Sequence, residues 1–200
     1  MRLTLVRHGE TLWNQAKKIQ GIADIELSKL GLEQAEKLAL SLQNENFDRI
    51  ISSPLKRAYA TAQVIAVHHA LPITVENDLH ELNAGELEGL TFPELQLRYG
   101  DFLSKWLGDH SSVTMPQGES LQDVQDRVWP VIQRITKTSE NALVVSHSFV
   151  IITILCKARN LSLSHAKEMR VGVASKTCLE IENGTMDVVS FNDTDHLRHS

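Results

Sequence analysis

An α/β fold, with helices on both faces of a mainly parallel sheet, is predicted by three features of the sequence. Short apolar runs alternate with longer segments of helical periodicity. The runs RLTLVR (2–7) and ALVVS (142–146) are rich in apolar residues throughout, as strands covered on both faces tend to be. Near the C-terminus, Asn183-Gly184 separates two further apolar segments and favours a two-residue hairpin turn, because both residues tolerate positive φ.

The elements follow in order. Residues 2–7 form a strand that empties into a loop at His8-Gly9. From Ser28 to Leu42, Leu30, Ala35, Leu38, Ala39 and Leu42 recur at helical spacing, with Ser28 as N-cap. A strand over 49–52 leads to Ser53-Pro54, where Ser53 is expected to cap and Pro54 to open a helix reaching about His69. Residues 73–75 give a third strand, and a loop runs from Glu81 to Gly89. Thr91 and Glu94 make a capping box for a helix to about Leu107. The next helix starts near residue 120, with a kink or break expected at Pro130. The strand 142–146 is followed by His147 and a helix through Arg159. Segments 176–182 and 185–191 then form the hairpin, placed at an edge of the sheet.

With no Gly/Ser linker, repeat or low-complexity stretch, the 200 residues read as one domain, 1–200. A net charge of −5 and the absence of like-charge runs argue against nucleic acid as a partner. The longest apolar run, FVIITILC (149–156), is too short to cross a bilayer, and MRLTLVRHGE does not read as a signal peptide. Cys156 and Cys178 lack CxxC spacing and are expected as reduced core residues of a cytoplasmic protein. A monomer or homodimer is compatible with all of this.

In parallel sheets, ligands sit beyond the carboxyl ends of the strands. Here three strand ends carry Arg7-His8, lead to Arg57, and carry His147, so two histidines and two arginines share one rim. Such a set suits a phosphate monoester: arginine forks bind the peripheral oxygens, and a histidine in line with the leaving oxygen attacks phosphorus. Positive neighbours Arg7, Arg57 and a protonated His147 are expected to hold His8 neutral and nucleophilic. His147 is expected to be cationic and to stabilise the transferred group. Glu81, in HELNAGELEG, is the candidate acid that protonates the leaving oxygen and then the base that activates water. Glu86 and Glu88 lie in the same loop and could share that role. No metal-ligand spacing and no cofactor motif is found; His68, His69, His196 and His199 read as surface groups.

LVRHGETLWN (5–14) resembles the signature of the histidine phosphatase superfamily, which includes cofactor-dependent phosphoglycerate mutases. QGIADIELSKLGLEQA (20–35), SSPLKRAYATA (52–62), ELNAGELEG (81–89), GES (118–120), VVSH (144–147) and FNDTDHL (191–197) extend the resemblance in family order over essentially the whole chain. The resemblance implies a three-layer α/β/α sandwich, with His8 as the phosphorylated nucleophile. It also implies a phosphate pocket completed by Arg7, Arg57 and His147, with Glu81 as acid/base. Asn14, Gln20 and Gly21 match pocket positions, although Asn14 also suits a turn cap. The small pair usual after the second histidine is replaced by Ser148-Phe149; the Ser148 N–H can still face phosphate, and Phe149 is expected to reshape the wall. Glu26 stands where proline is common, with no catalytic effect expected.

The segment LTFPELQLRYGDF (90–102) has Arg98 as its only cation and lacks the basic-aromatic insertion usual in the mutases. The chain is also shorter than the usual mutase. Both favour hydrolysis of a small phosphorylated metabolite over phosphoryl return. Phosphoserine, phosphoglycerate-type, sugar and ribazole phosphates all remain candidates. The alternatives are a cofactor-dependent phosphoglycerate mutase and a non-catalytic module that binds phosphorylated ligands. Ile22, Leu82, Trp106 and Phe149 suggest a pocket larger than a bare anion needs; Trp13, Trp106 and Trp129 read as packing residues, with Trp106 placed where it could border the pocket.

Overall fold

A computed structural model describes residues 1–138 and 140–198. Six strands form one sheet: β1 (Arg2–Arg7), β2 (Arg49–Ser52), β3 (Ile73–Val75), β4 (Ala142–Ser146), β5 (Lys176–Glu182) and β6 (Thr185–Asp193), in the order β3-β2-β4-β1-β5-β6. The pairs β3/β2, β2/β4 and β4/β1 are parallel, whereas β5 runs antiparallel to both β1 and β6. The parallel sheet with an edge hairpin therefore matches the sequence expectation.

Strand alternation divides the core into two layers. Leu3, Leu5, Ile51, Ala142 and Val144 pack on one face with residues of α6 (Leu121–Thr136) and α7 (Ser148–Ala158). Val6, Ile50, Leu143 and Val145 face the other way, against α2 (Lys29–Leu42) and α3 (Lys56–His69). A short α1 (Leu12–Gln15) follows β1, and α4 (Phe92–Arg98) and α5 (Gly100–Gly108) rise above the strand ends. Because successive side chains of a strand point to opposite faces, each central strand feeds both layers.

Several local expectations hold. The Ser28 hydroxyl accepts from the Gly31 N–H at 3.0 Å, and the Thr91/Glu94 capping box opens α4. Cys156 and Cys178 are buried and unpaired. Other expectations are corrected. Leu30 is 45% exposed, and the core face of α2 is Gly31, Ala35, Leu38, Ala39 and Leu42. Helix α3 starts at Lys56, not Pro54, because the Ser53 side chain is engaged by His147; the carboxylate of Asp24 caps the Lys56 N–H from a distant turn at 2.7 Å. The helix expected over 91–107 is interrupted at Tyr99, whose φ of −134° lies outside the helical range. Gly100, a poor helix former, follows it, and the Tyr99 hydroxyl donates to Glu86 at 3.1 Å. Pro130 does not break α6. Pro130 and Asp126, the residue whose carbonyl loses its partner, are both exposed, so water can replace the missing bond.

The start of α2 presses directly on the loop after β1. A methyl group on Gly31 would stand 1.9 Å from the Glu10 carbonyl oxygen, and one on Gly9 would stand 2.4 Å from the Gly31 carbonyl oxygen. Gly31→Ala is therefore expected to cost about 1–3 kcal/mol in urea unfolding, as overpacking against backbone does. Gly108→Ala meets nothing within 4 Å and is expected to stay within about 0.5 kcal/mol of the parent. Equal effects of the two would contradict the packing described.

Candidate active site

The sheet ladder itself assembles the site. Arg7 pairs with Ser146 and Ser52 with Val145 at the carboxyl ends of the parallel strands. One step further, His8 N–H donates to Ser146 C=O at 3.1 Å and Ser53 N–H to Val145 C=O at 3.0 Å. Main-chain bonds thus deliver His8, Ser53 and His147 side by side. The two histidine rings lie with centroids 5.1 Å apart, tilted by 58°.

His8 is buried, and its Nδ1 lies 2.7 Å from the Gly9 carbonyl. A carbonyl can only accept, so Nδ1 carries the proton and Nε2 keeps the lone pair. Burial first, then the charges of Arg7 and Arg57, push the His8 pKa well below its ordinary value of 6.5, outweighing the hydrogen bond to Gly9. His8 is therefore neutral at neutral pH, with a lone pair free on Nε2.

His147 corrects an expectation. It too is fully buried, and burial followed by the charge of Arg57 pushes its pKa well below 6.5, so the unliganded site holds it neutral rather than cationic. Its Nε2 is 2.7 Å from the Ser53 hydroxyl, which also accepts from the Leu55 N–H at 3.3 Å. If Ser53 accepts from Leu55 and donates to Nε2, the proton of His147 sits on Nδ1. That atom is buried and has no partner.

The arginines show the same signature. Arg57 donates to the carbonyls of Ala23 at 2.7 Å and Gly21 at 2.8 Å, and Arg7 donates to the Val171 carbonyl at 2.5 Å. Among the described residues neither forms an ion pair, and the Nε of each is buried without a partner. Burial lowers the Arg57 pKa to about 10, against the opposing pull of Glu81 and Asp24, and burial also lowers that of Arg7. Both remain cationic at neutral pH. Buried polar atoms are rarely left unsatisfied, and three such atoms on Arg7, Arg57 and His147 are chemically suited to an anion.

Glu81 lines the same cavity, with one carboxylate oxygen accepting its neighbour Leu82 N–H at 2.9 Å and the other 3.4 Å from the Phe149 N–H. Asn14, Gln20, Gly21 and Ser148 also line it. The Asn14 carbonyl oxygen caps α1 by accepting from Thr11 N–H at 3.0 Å, which leaves its amide NH2 for a ligand. Both readings of Asn14 thus fit one side chain. Ile22 does not line the cavity and is 40% exposed; Leu82, Trp106 and Phe149 do line it.

Several supporting roles do not follow from the sequence reading. Glu88 accepts from Ile22 N–H at 2.7 Å and Ala23 N–H at 3.0 Å, holding the turn whose carbonyls grip Arg57. It is therefore a brace and not a second acid, and Glu86 is engaged by Tyr99. Glu119, in the GES motif, pairs with Arg127 at 2.8 Å and accepts from Asn83 N–H, while Arg127 donates to the carbonyls of His80 and Glu81. That clamp fixes the backbone under Glu81. The Thr61 hydroxyl accepts from Gly9 N–H at 3.1 Å and donates to Arg57 C=O at 2.8 Å, tying α3 to the loop after β1.

Elsewhere, His68 is exposed and His69 packs edge-on against Phe47. Nε2 of His196 contacts the Ala174 carbonyl at 3.0 Å, and His199 lies outside the described residues. Among the described residues no three His, Cys, Asp or Glu side chains gather in a metal-binding group.

With this geometry in hand, similarity to known proteins is specific. Residues 3–194 match the model of the histidine phosphatase superfamily (branch 1), and the chain belongs to that superfamily. Phosphoserine phosphatase 1 of Hydrogenobacter thermophilus is 32% identical over 199 residues, covering 98% of this chain and 94% of the relative. Phosphoglycerate mutase-like protein 4 of Arabidopsis thaliana is 32% identical over 203 residues, covering 99% of this chain and 87% of the relative. The solved structure of Bacillus stearothermophilus YhfR superimposes with a TM-score of 0.93 at 28% identity, covering 98% of both chains.

The neutral histidines make a pH prediction. A buried histidine with a depressed pKa binds its proton in the unfolded state first, so its stabilising effect is present above 6.5 and is lost as pH falls towards the folded value. Between pH 7 and 5 the parent should lose stability more steeply than a His8→Asn/His147→Asn variant, by up to about 1.4 kcal/mol per pH unit for each histidine. Parallel slopes in urea unfolding would mean that the two histidines titrate normally.

Proposed function

We propose that the chain hydrolyses small phosphate monoesters through a phosphohistidine on His8, with no metal required. The observation that carries this reading is the cluster of unsatisfied donors, Arg7 Nε, Arg57 Nε and His147 Nδ1, around a neutral His8 whose Nε2 is the free nucleophile. Family membership and the phosphoserine phosphatase relative support it.

The ester dianion enters with its peripheral oxygens towards Arg7, Arg57, His147 and the Ser148 N–H at the start of α7, where the helix dipole favours negative charge. The Nε2 lone pair forms a bond to phosphorus as the bond to the leaving oxygen breaks, and that electron pair departs with the oxygen. Glu81 gives its proton to the leaving alkoxide. Water then attacks phosphorus, Glu81 takes the water proton, and the P–N bond electrons return to Nε2. Inorganic phosphate leaves and the enzyme is restored.

Asn14, Gln20 and Gly21 form the side of the phosphate pocket in this account. The buried free thiols of Cys156 and Cys178 support a reducing, cytoplasmic setting, and the continuous sheet supports reading the chain as one domain.

Kinetics of three proteins test the assignment in metal-chelating buffer. His8→Ala is expected to abolish phosphate release. Glu81→Gln is expected to slow alkyl phosphates by about 10²–10⁴-fold while sparing aryl phosphates, whose leaving groups need no proton. Equal damage to both ester types would remove Glu81 as the acid, and activity in His8→Ala would remove His8 as the nucleophile. Isomerisation of 3-phosphoglycerate dependent on a bisphosphoglycerate primer would instead place the chain with the mutases.

A further inference from the structure

The cavity above His8 has two chemically distinct ends. It holds about 440 Å³, within the range of small-molecule sites. Its polar lining consists of the groups assigned to phosphoryl binding and transfer, together with Lys18. Lys18 is exposed and lies 5.8 Å over the ring of Trp13. The remaining wall is apolar, built around Leu82, Phe92, Phe102, Trp106, Met115 and Phe149.

Phe92, Phe102 and Trp106 of this wall come from α4 and α5, and Leu82, Met115 and Phe149 complete it from other segments. Their cations, Arg98 and Lys105, are exposed and do not line the cavity. Trp106 stacks nearly parallel to Phe102 at 6.4 Å and meets Phe149 edge-on at 5.5 Å, which creates flat, apolar surfaces. Basic residues do stand on the far side of Phe149, where they line an adjoining groove that shares Arg7, Leu107, Ser148 and Phe149 with the cavity. There Lys167 donates its ammonium to the Gly108 carbonyl at 2.7 Å, and Arg170 is exposed.

The cation of the cavity lining that phosphate does not claim, Lys18, is exposed over the Trp13 ring, so a substrate carboxylate lying against the aromatic wall would meet apolar side chains there. Burying an unpaired carboxylate is strongly unfavourable, and the hydroxyls of a sugar would be left unsatisfied as well. An apolar ring or branched chain would instead bury its surface against the aromatic wall. We infer that the leaving group this site selects is an uncharged, apolar ring-bearing or branched alcohol, with the aromatic cluster of Trp106, Phe102 and Phe149 as the specificity element. The inference rests on the phosphatase reading above and follows the same bond changes: P–O cleavage with proton transfer to the departing alcohol.

The test compares kcat/KM for 2-phenylethyl phosphate, phosphoserine and 3-phosphoglycerate, with parent and Trp106→Ala. The first two both release a primary alcohol, so the nature of the leaving oxygen is held nearly constant. The parent is expected to prefer 2-phenylethyl phosphate by about tenfold or more. Trp106→Ala should erase most of that preference while changing phosphoserine turnover little. If the variant fails to fold, the parent's ranking alone decides. Faster turnover of phosphoserine or 3-phosphoglycerate overturns the inference and leaves the phosphatase reading standing. Equal losses on both substrates in Trp106→Ala overturn the specificity role of the cluster. Phosphate release from none of the three overturns both readings.

Discussion

Two guanidinium groups, Arg57 buried and Arg7 half-buried, stand in the site without a paired carboxylate and set the conditions for everything around them. Arg7 and Arg57 are anchored by carbonyls of Val171, Gly21 and Ala23, which satisfy part of each fork but do not neutralise its charge. Desolvating such charges is costly, and in the interior their fields reach further than they would in water. Burial first, and then this field, holds His8 and His147 neutral. The same field recruits an anion, because a phosphate dianion supplies the counter-charge and the acceptors that the protein leaves out. In the proposed reaction, the neutrality of His8 and the binding of phosphate both draw on these two cations.

The cost of holding like charges together is met by bracing. The N-terminus of α2 packs on Gly9 and Glu10, and the Thr61 hydroxyl holds Gly9 N–H. The Glu88 carboxylate holds the 21–23 turn, and the Glu119–Arg127 pair holds the chain at Glu81. Each brace acts on backbone, so the reacting side chains are positioned without losing the atoms they need for chemistry. Above this polar floor, α4 and α5 add an apolar wall that takes no part in phosphoryl transfer and so is free to determine which alcohol departs.

Much of this was legible in the sequence, for definable reasons. Apolar runs marked every strand, and the rule that ligands gather at carboxyl strand ends brought Arg7, His8, Arg57 and His147 together before any contact was known. What escaped depends on partners remote in sequence. Ser53 reads as a helix cap because Pro54 follows it, and only the β2/β4 register shows that His147 claims its hydroxyl. Asp24 caps α3 from another turn, and Glu119 and Arg127 act on a loop far upstream. The charge state of His147 turns on burial at the end of β4, which a motif does not report. The break at Tyr99 was masked by a regular capping box one turn earlier.

The most direct test of the account is to trap the phosphorylated protein during turnover of an aryl phosphate by quenching in alkali, then to locate the phosphoryl group by peptide mapping and phosphorus NMR. The account predicts phosphohistidine at His8, attached through Nε2, and no label in His8→Ala. A phosphoryl group on Nδ1 of His8, on Ser53 or on His147 would contradict it.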